Sequence, residues 1–170
     1  DGFAPAFSSA DINGNALTIT FDEPLDESYT PSVNDFSVLS NSNSKAVASL
    51  YVIGSTVVLT LEYPVVSLDY VTVSYTLPIT GGNIKDAAGN ITGTFSNQNV
   101  TNNTADTIPP TITNVTSGLS NGTYGPGDII DIDVTFSEAV TSTGNVTVTL
   151  ETGATDRTCT FTVSGETMGT

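Results

Sequence analysis

Histidine and tryptophan are missing from this 170-residue chain, and cysteine occurs once, at Cys159. Without histidine, no serine or cysteine here has the usual general base that makes it a nucleophile. A lone cysteine forms no intramolecular disulfide, so rigidity must come from elsewhere, and bound calcium is the usual substitute in secreted proteins. Positive charge is scarce as well: three Lys and Arg stand against 18 Asp and Glu. That balance argues against nucleic acid or an anionic membrane surface as partner and favours solubility and divalent cations. No signal peptide, membrane-inserting run or lipidation motif is visible. Because the chain opens on a repeat boundary, it is read as an internal or processed piece.

What is abundant is Thr, Ser, Asn, Val and Gly, a bias that suits exposed sheet faces and tight turns and points to an all-β protein. Leu17, Ile19 and Phe21 alternate with Thr18, Thr20 and Asp22 behind an Asn13-Gly14 pair, the strongest short hairpin signal. From Pro24 to Asp35 the pattern breaks into a crossing loop, with Pro31 placed to open one helical turn. Strands are expected at Phe36 to Leu39, Ala46 to Ile53, Thr56 to Glu62, Tyr70 to Leu77 and Thr92 to Val100. Gly54-Ser55 is a tight turn and GGNIKDAAGN a loop. Short strands at this spacing predict an immunoglobulin-like Greek-key β-sandwich.

The chain then begins again. Asp106-Thr-Ile-Pro-Pro110 echoes Asp1-Gly-Phe-Ala-Pro5, a spacing of 105 residues that divides the sequence into tandem modules at 1–105 and 106–170. The proline pair forbids both helix and central strand at the join. TITFDEPL of the first module lies on DVTFSEAV of the second, aligning Phe21 with Phe136 and Glu23 with Glu138 after an insertion of 10 residues around SGLSNGTYGP. Ile130, Ile132, Val134 and Phe136 are expected to face the core, and Asp131, Asp133 and Thr135 to face water. Strands near Asn145 to Leu150 and Arg157 to Val163 follow, and the second sandwich is expected to be incomplete, with open strand edges.

The runs FAPAFSSADINGNALTITFDEPLD, GSTVVLTLEYPV, VTVSYT, IKDAAGN and TFSNQNVTNNTADT together resemble the SwmB-type repeats of large bacterial surface and swimming-associated proteins. PPTITNV, GDIIDIDVTFSEAV and LETGATDRT are similar to the related bacterial Ig-like repeats of giant RTX-type adhesins. The resemblance implies an extracellular, non-enzymatic tandem array, often stiffened by calcium.

In an immunoglobulin-like topology the loop after the second strand and the loop before the last lie at the end where the chain enters. That gathers Asp1, Asp22, Glu23, Asp26 and Asp86 near Lys85, and the second module repeats the logic with Asp106 and Glu138. Carboxylates so close repel unless a cation joins them, and calcium takes about six to eight oxygens in flexible geometry. Calcium is therefore expected at module poles and joins. The plainer alternative makes Glu23 and Asp26 ordinary loop acids and DAAGN a turn, with Asp86 bonding its own backbone and Gly89 at positive φ. Neither an EF-hand loop nor a glycine-rich RTX nonapeptide occurs, so the expectation rests on topology.

Gly118-Leu-Ser120-Asn-Gly122 fits the nucleophile-elbow pattern but lies in a loop and lacks a histidine, so enzyme activity is not expected. Cys159, in the alternating TCTFTV, reads as a small core residue or inert thiol. Sequons at Asn90, Asn99, Asn102, Asn114, Asn121 and Asn145 follow from the Asn and Thr content. The favoured function is a structural spacer of a giant secreted or cell-surface bacterial protein, its partners being neighbouring repeats. A filament or sheath subunit completed by strands of other copies is the first alternative. A glycan-binding module using Tyr29, Tyr51, Tyr63 and Tyr124 is the second.

Overall fold

The computed structural model describes residues 2–170, and the chain divides into two compact units, Asp1–Thr107 and Ile108–Thr170. The protein is all-β, as the composition requires. In unit one the elements are β1 (Phe7–Asn13), β2 (Ala16–Phe21), a single 3-10 turn (Val33–Asp35), β3 (Phe36–Ser40), β4 (Asn43–Lys45), β5 (Val47–Ile53), β6 (Thr56–Leu61), β7 (Val71–Tyr75) and β8 (Phe95–Asn102). They hydrogen-bond in the order β4-β3-β7-β8-β1-β2-β6-β5. The edge strands β4 and β5 are separated in sequence only by Ala46, so the sheet curls back on itself into an immunoglobulin-like sandwich.

Strand β8 makes that curl possible by changing partner along its length. Residues from Phe95 to Val100 pair antiparallel with β7, whereas Thr101 and Asn102 pair parallel with β1. Period-two alternation sends Leu17, Ile19 and Phe21 of β2 and Val57, Leu59 and Leu61 of β6 inward, against Val38 of β3 and Val71, Val73 and Tyr75 of β7. Each such burial stabilises by about 1.5–3 kcal/mol before the entropy of ordering is set against it. Phe95 sits among aromatic neighbours, its ring centroid 5.1 Å from Phe7, 6.4 Å from Phe21 and 5.7 Å from Tyr75.

The Asn13-Gly14 hairpin forms, with Gly14 at φ 62°. Pro31 precedes a true 3-10 turn: Ser32 Oγ accepts from the Asn34 amide, and Asp35 closes the cap by accepting from the Ser32 amide. Strand β4 was not foreseen because Asn43, Ser44 and Lys45 carry no apolar alternation. It pairs with β3 through a turn in which Asn41 and Ser42 both take positive φ. The last strand starts at Phe95 rather than Thr92, because Thr92 instead donates its hydroxyl to the Pro5 carbonyl at 2.9 Å.

Unit two contains β9 (Ile112–Thr116), β10 (Asp133–Thr141), β11 (Val146–Leu150), β12 (Arg157–Phe161) and β13 (Ser164–Gly169). One sheet runs β13-β10-β9 and the other is the β11-β12 hairpin. Val134, Phe161 and Val163 form its buried centre, with Ile132, Phe136, Val140, Val146 and Val148 packed against them. Ile130 does not face this core: it precedes β10 and is exposed. Cys159 lies in β12 opposite Val148, half-buried and with a free thiol.

The two units begin with one shared register. In unit one Phe7 pairs with Phe21, Ser9 with Thr20 and Ala10 with Ile19, with a bulge at Ser8. In unit two Ile112 pairs with Phe136, Asn114 with Thr135 and Val115 with Val134, with a bulge at Thr113. The sequence alignment maps each pair, and the bulge, onto its counterpart. A bulge is a specific, position-dependent feature, so its recurrence marks a structural repeat rather than two generic hairpins.

Candidate functional site

The N-terminal pole of unit one is built from the segment entering β1, the β2–β3 loop, the β5–β6 turn and the long β7–β8 loop. Backbone bonds tie these together: Asp22 N–H donates to the Ala6 carbonyl, Leu25 N–H to Gly54 and Asp26 N–H to Lys85. The topology expected from the sequence thus places Asp22, Asp26 and Asp86 at one end. What each carboxylate does there is set by the donors around it.

Asp22 Oδ1 accepts the Ala6 amide at 2.7 Å, clamping the incoming chain to the end of β2. Unit two repeats the clamp with a different side chain, since Ser137 Oγ accepts the Thr111 amide at 2.9 Å while Ser137 N–H donates to the Thr111 carbonyl. A neutral hydroxyl therefore performs the task that a carboxylate performs at Asp22.

Asp26 accepts from the amide and hydroxyl of Ser28 and faces Lys85 Nζ at 3.8 Å. The Ser28 bonds, helped by the lysine charge, hold its pKa below the ordinary aspartate value, with the nearby Asp86 charge opposing. Lys85 also lies 3.3 Å from the centre of the Tyr29 ring, so that aromatic face is covered by a cation.

Asp86 is buried. Its two oxygens accept from the side chain and backbone amide of Asn90, and Gly89 N–H donates to the Asp86 carbonyl with φ 94° at Gly89. The Asn90 bond is the main cause of its lowered pKa. This is the self-bonded turn that the DAAGN sequence allowed.

Of the remaining acids, Glu23 is half-buried in the β2–β3 loop, Asp106 is exposed where unit one ends, and Glu138 lies within β10 of unit two. Asp1 lies outside the described residues. Among the described residues no three acidic, histidine or cysteine side chains stand close enough to share a metal ion.

Two acids that sequence reasoning passed over also tie loops together. Asp69 accepts from Ser40 Oγ at 2.7 Å, Asn41 Nδ2 at 2.6 Å and the Val66 amide at 3.1 Å, joining the β3–β4 turn to the β6–β7 loop. The Ser40 bond leads in lowering its pKa. Glu27 Oε1 takes the Gly54 amide at 2.7 Å and so fixes the β5–β6 turn. Little in the sequence could have signalled them, because apart from the nearby Val66 amide their donors Ser40, Asn41 and Gly54 are remote in sequence.

The other sequence motifs are placed plainly. Ser120 lies in an exposed loop, where its carbonyl accepts from the Tyr124 hydroxyl. Of the sequons, Asn90 and Asn102 have their side-chain amides donated within the fold, to Asp86 and to the Val66 and Asp69 carbonyls. Tyr29, Tyr51, Tyr63 and Tyr124 are all exposed.

A family model described as "Putative flagellar system-associated repeat" matches residues 1–80, within unit one. No curated protein matches the chain. Two solved structures are similar: the N-terminal part of the bacterial S-layer protein SbsC, at 22% identity and TM-score 0.49 over 69% of this chain, and a longer SbsC fragment, at 20% identity and TM-score 0.48 over 87%. This chain spans 26% and 20% of the lengths of those two structures.

Proposed function

We propose that this chain is a non-enzymatic structural spacer segment of a tandem-repeat protein exposed on or secreted from a bacterial cell. The observation that carries the reading is the shared register of β1–β2 and β9–β10, with its bulge and linker clamp, in a chain whose first 80 residues match a repeat family. Tandem modules of this kind act as spacers, because each is stable through its own core and the array sets distance. The acidic surface supports an extracellular setting by keeping such an array soluble and free of nucleic acid. Antibody against the chain, applied to intact source cells and to lysate, tests the location. Labelling confined to lysed cells sinks it.

Calcium at the module poles, and kinship of unit two with RTX-type adhesin repeats, belong to the same proposal. The charge surplus, and the place of Asp22, Asp26 and Asp86 in loops at one pole, support the ion, although no three of the described acids stand close enough to share it as they are. Its binding there requires these carboxylates to move closer together and at least one of them to exchange a protein donor for the metal. Thermal melting with calcium and with chelator measures this, and an unchanged midpoint removes calcium from the proposal.

A further inference from the structure

The β1–β2 turn carries an Asn-Gly pair, the sequence in which a side-chain amide is most readily attacked by the next residue's backbone nitrogen, because glycine puts no side chain in the way. Asn13 ends β1 with its side chain exposed, and Gly14 takes φ 62°. The attacking nitrogen is already engaged. Gly14 N–H donates to Thr104 Oγ1 at 2.9 Å, across 90 residues of sequence, while the Gly14 carbonyl accepts the Val65 amide at 3.0 Å. Thr104 is itself held: its amide donates to Asn102 Oδ1 at 3.0 Å, and the Asn102 side-chain amide donates to the Val66 and Asp69 carbonyls. The Asn103 amide adds a bond to the Ile12 carbonyl at 2.8 Å. The segment leaving unit one is thus docked on the turn, and its docking occupies the nitrogen that ring closure needs.

We infer that Asn13-Gly14 is a latent self-modification site, and that Thr104 holds it closed for as long as the segment leaving unit one stays docked. When that segment lifts, the Gly14 nitrogen gives up its proton to solvent and bonds to the Asn13 side-chain carbonyl carbon, whose bond to the amide nitrogen breaks as ammonia leaves. The cyclic imide then takes up one water and opens to aspartate or isoaspartate at position 13. Isoaspartate carries an extra methylene in the backbone, and at the Asn13–Ala16 pair that closes the hairpin this disturbs the register with β2. Either product adds negative charge to an acidic chain. The threonine at the exit of unit one therefore couples the state of the join to an irreversible covalent mark. The inference rests on the turn and the exit segment and not on where the protein resides, so its failure leaves the surface location standing.

The test incubates the full 170-residue chain in mildly alkaline buffer and follows both Asn-Gly pairs by peptide mapping with mass spectrometry, Asn121-Gly122 in its exposed loop serving as the internal reference. Asn13 is expected to convert about tenfold more slowly, or slower still, than in the same chain unfolded in urea. Thr104→Val keeps the bulk of threonine and removes the acceptor, so conversion at Asn13 rises about fivefold, whereas Thr104→Ser keeps the parent's rate. Retained amide protection along the β2–β6 pairing shows that both variants are folded. Conversion of Asn13 in the folded parent as fast as in urea overturns the inference, and so do equal rates in the valine and serine variants.

Discussion

Replacing Asp22 tests what charge contributes at the N-terminal pole. Its carboxylate holds the Ala6 amide at 2.7 Å, and Ser137 holds the Thr111 amide at 2.9 Å in the corresponding place. If the clamp is a hydrogen bond and nothing more, Asp22→Ser keeps it and Asp22→Ala removes it. Asp22 is exposed, so water takes over the released amide and the loss falls at the lower end for a single bond, about 1 kcal/mol for alanine and within about 0.5 kcal/mol for serine. In a unit of this size that is a fall in melting midpoint of about 4–8 °C for alanine. Tyrosine fluorescence reports mainly on unit one, which holds Tyr29, Tyr51, Tyr63, Tyr70 and Tyr75 against Tyr124 in unit two, so the transition can be assigned. Equal destabilisation by serine and alanine refutes the neutral-clamp argument. So does a calcium-induced rise in midpoint that Asp22→Ser abolishes, because that makes the carboxylate an ion ligand.

Phe95→Ala removes the ring that packs on Phe7, Phe21 and Tyr75, and is expected to cost about 3–4 kcal/mol in unit one, read by urea denaturation. Gly169→Ala places a methyl group into the Phe161 ring and against Val163, so unit two loses about 1–3 kcal/mol, seen as weakened exchange protection in β10 and β13. Asp26, Asp69 and Asp86 have folded-state pKa values below the unfolded value of 3.8. Their contribution is therefore complete above that value and is lost as pH falls through the lower, folded ones. Melting of unit one should be flat near neutrality and decline below about pH 4; a decline beginning above pH 6 contradicts the assignment.

Much of the fold was written locally. Alternation at Leu17, Ile19 and Phe21, the Asn13-Gly14 turn and the glycine of DAAGN act over a few residues, where backbone sterics and pleat geometry decide the outcome. Strand β4 escaped notice because a polar edge strand has no buried face to leave a pattern. Ile130 was placed in the core because periodicity continued past the true start of β10, and periodicity carries no information on where pairing begins. For the pole, the sequence suggested acids near one end but not what each of them bonds: Asn90 is near Asp86 in sequence, whereas Ala6 is remote from Asp22.

The sequence by itself determined an acidic all-β chain that repeats, because composition and spacing bear directly on those properties. Tertiary structure alone decided what the carboxylates bond and which turns and loops they tie together. Those depend on donors and neighbours brought together from distant parts of the chain.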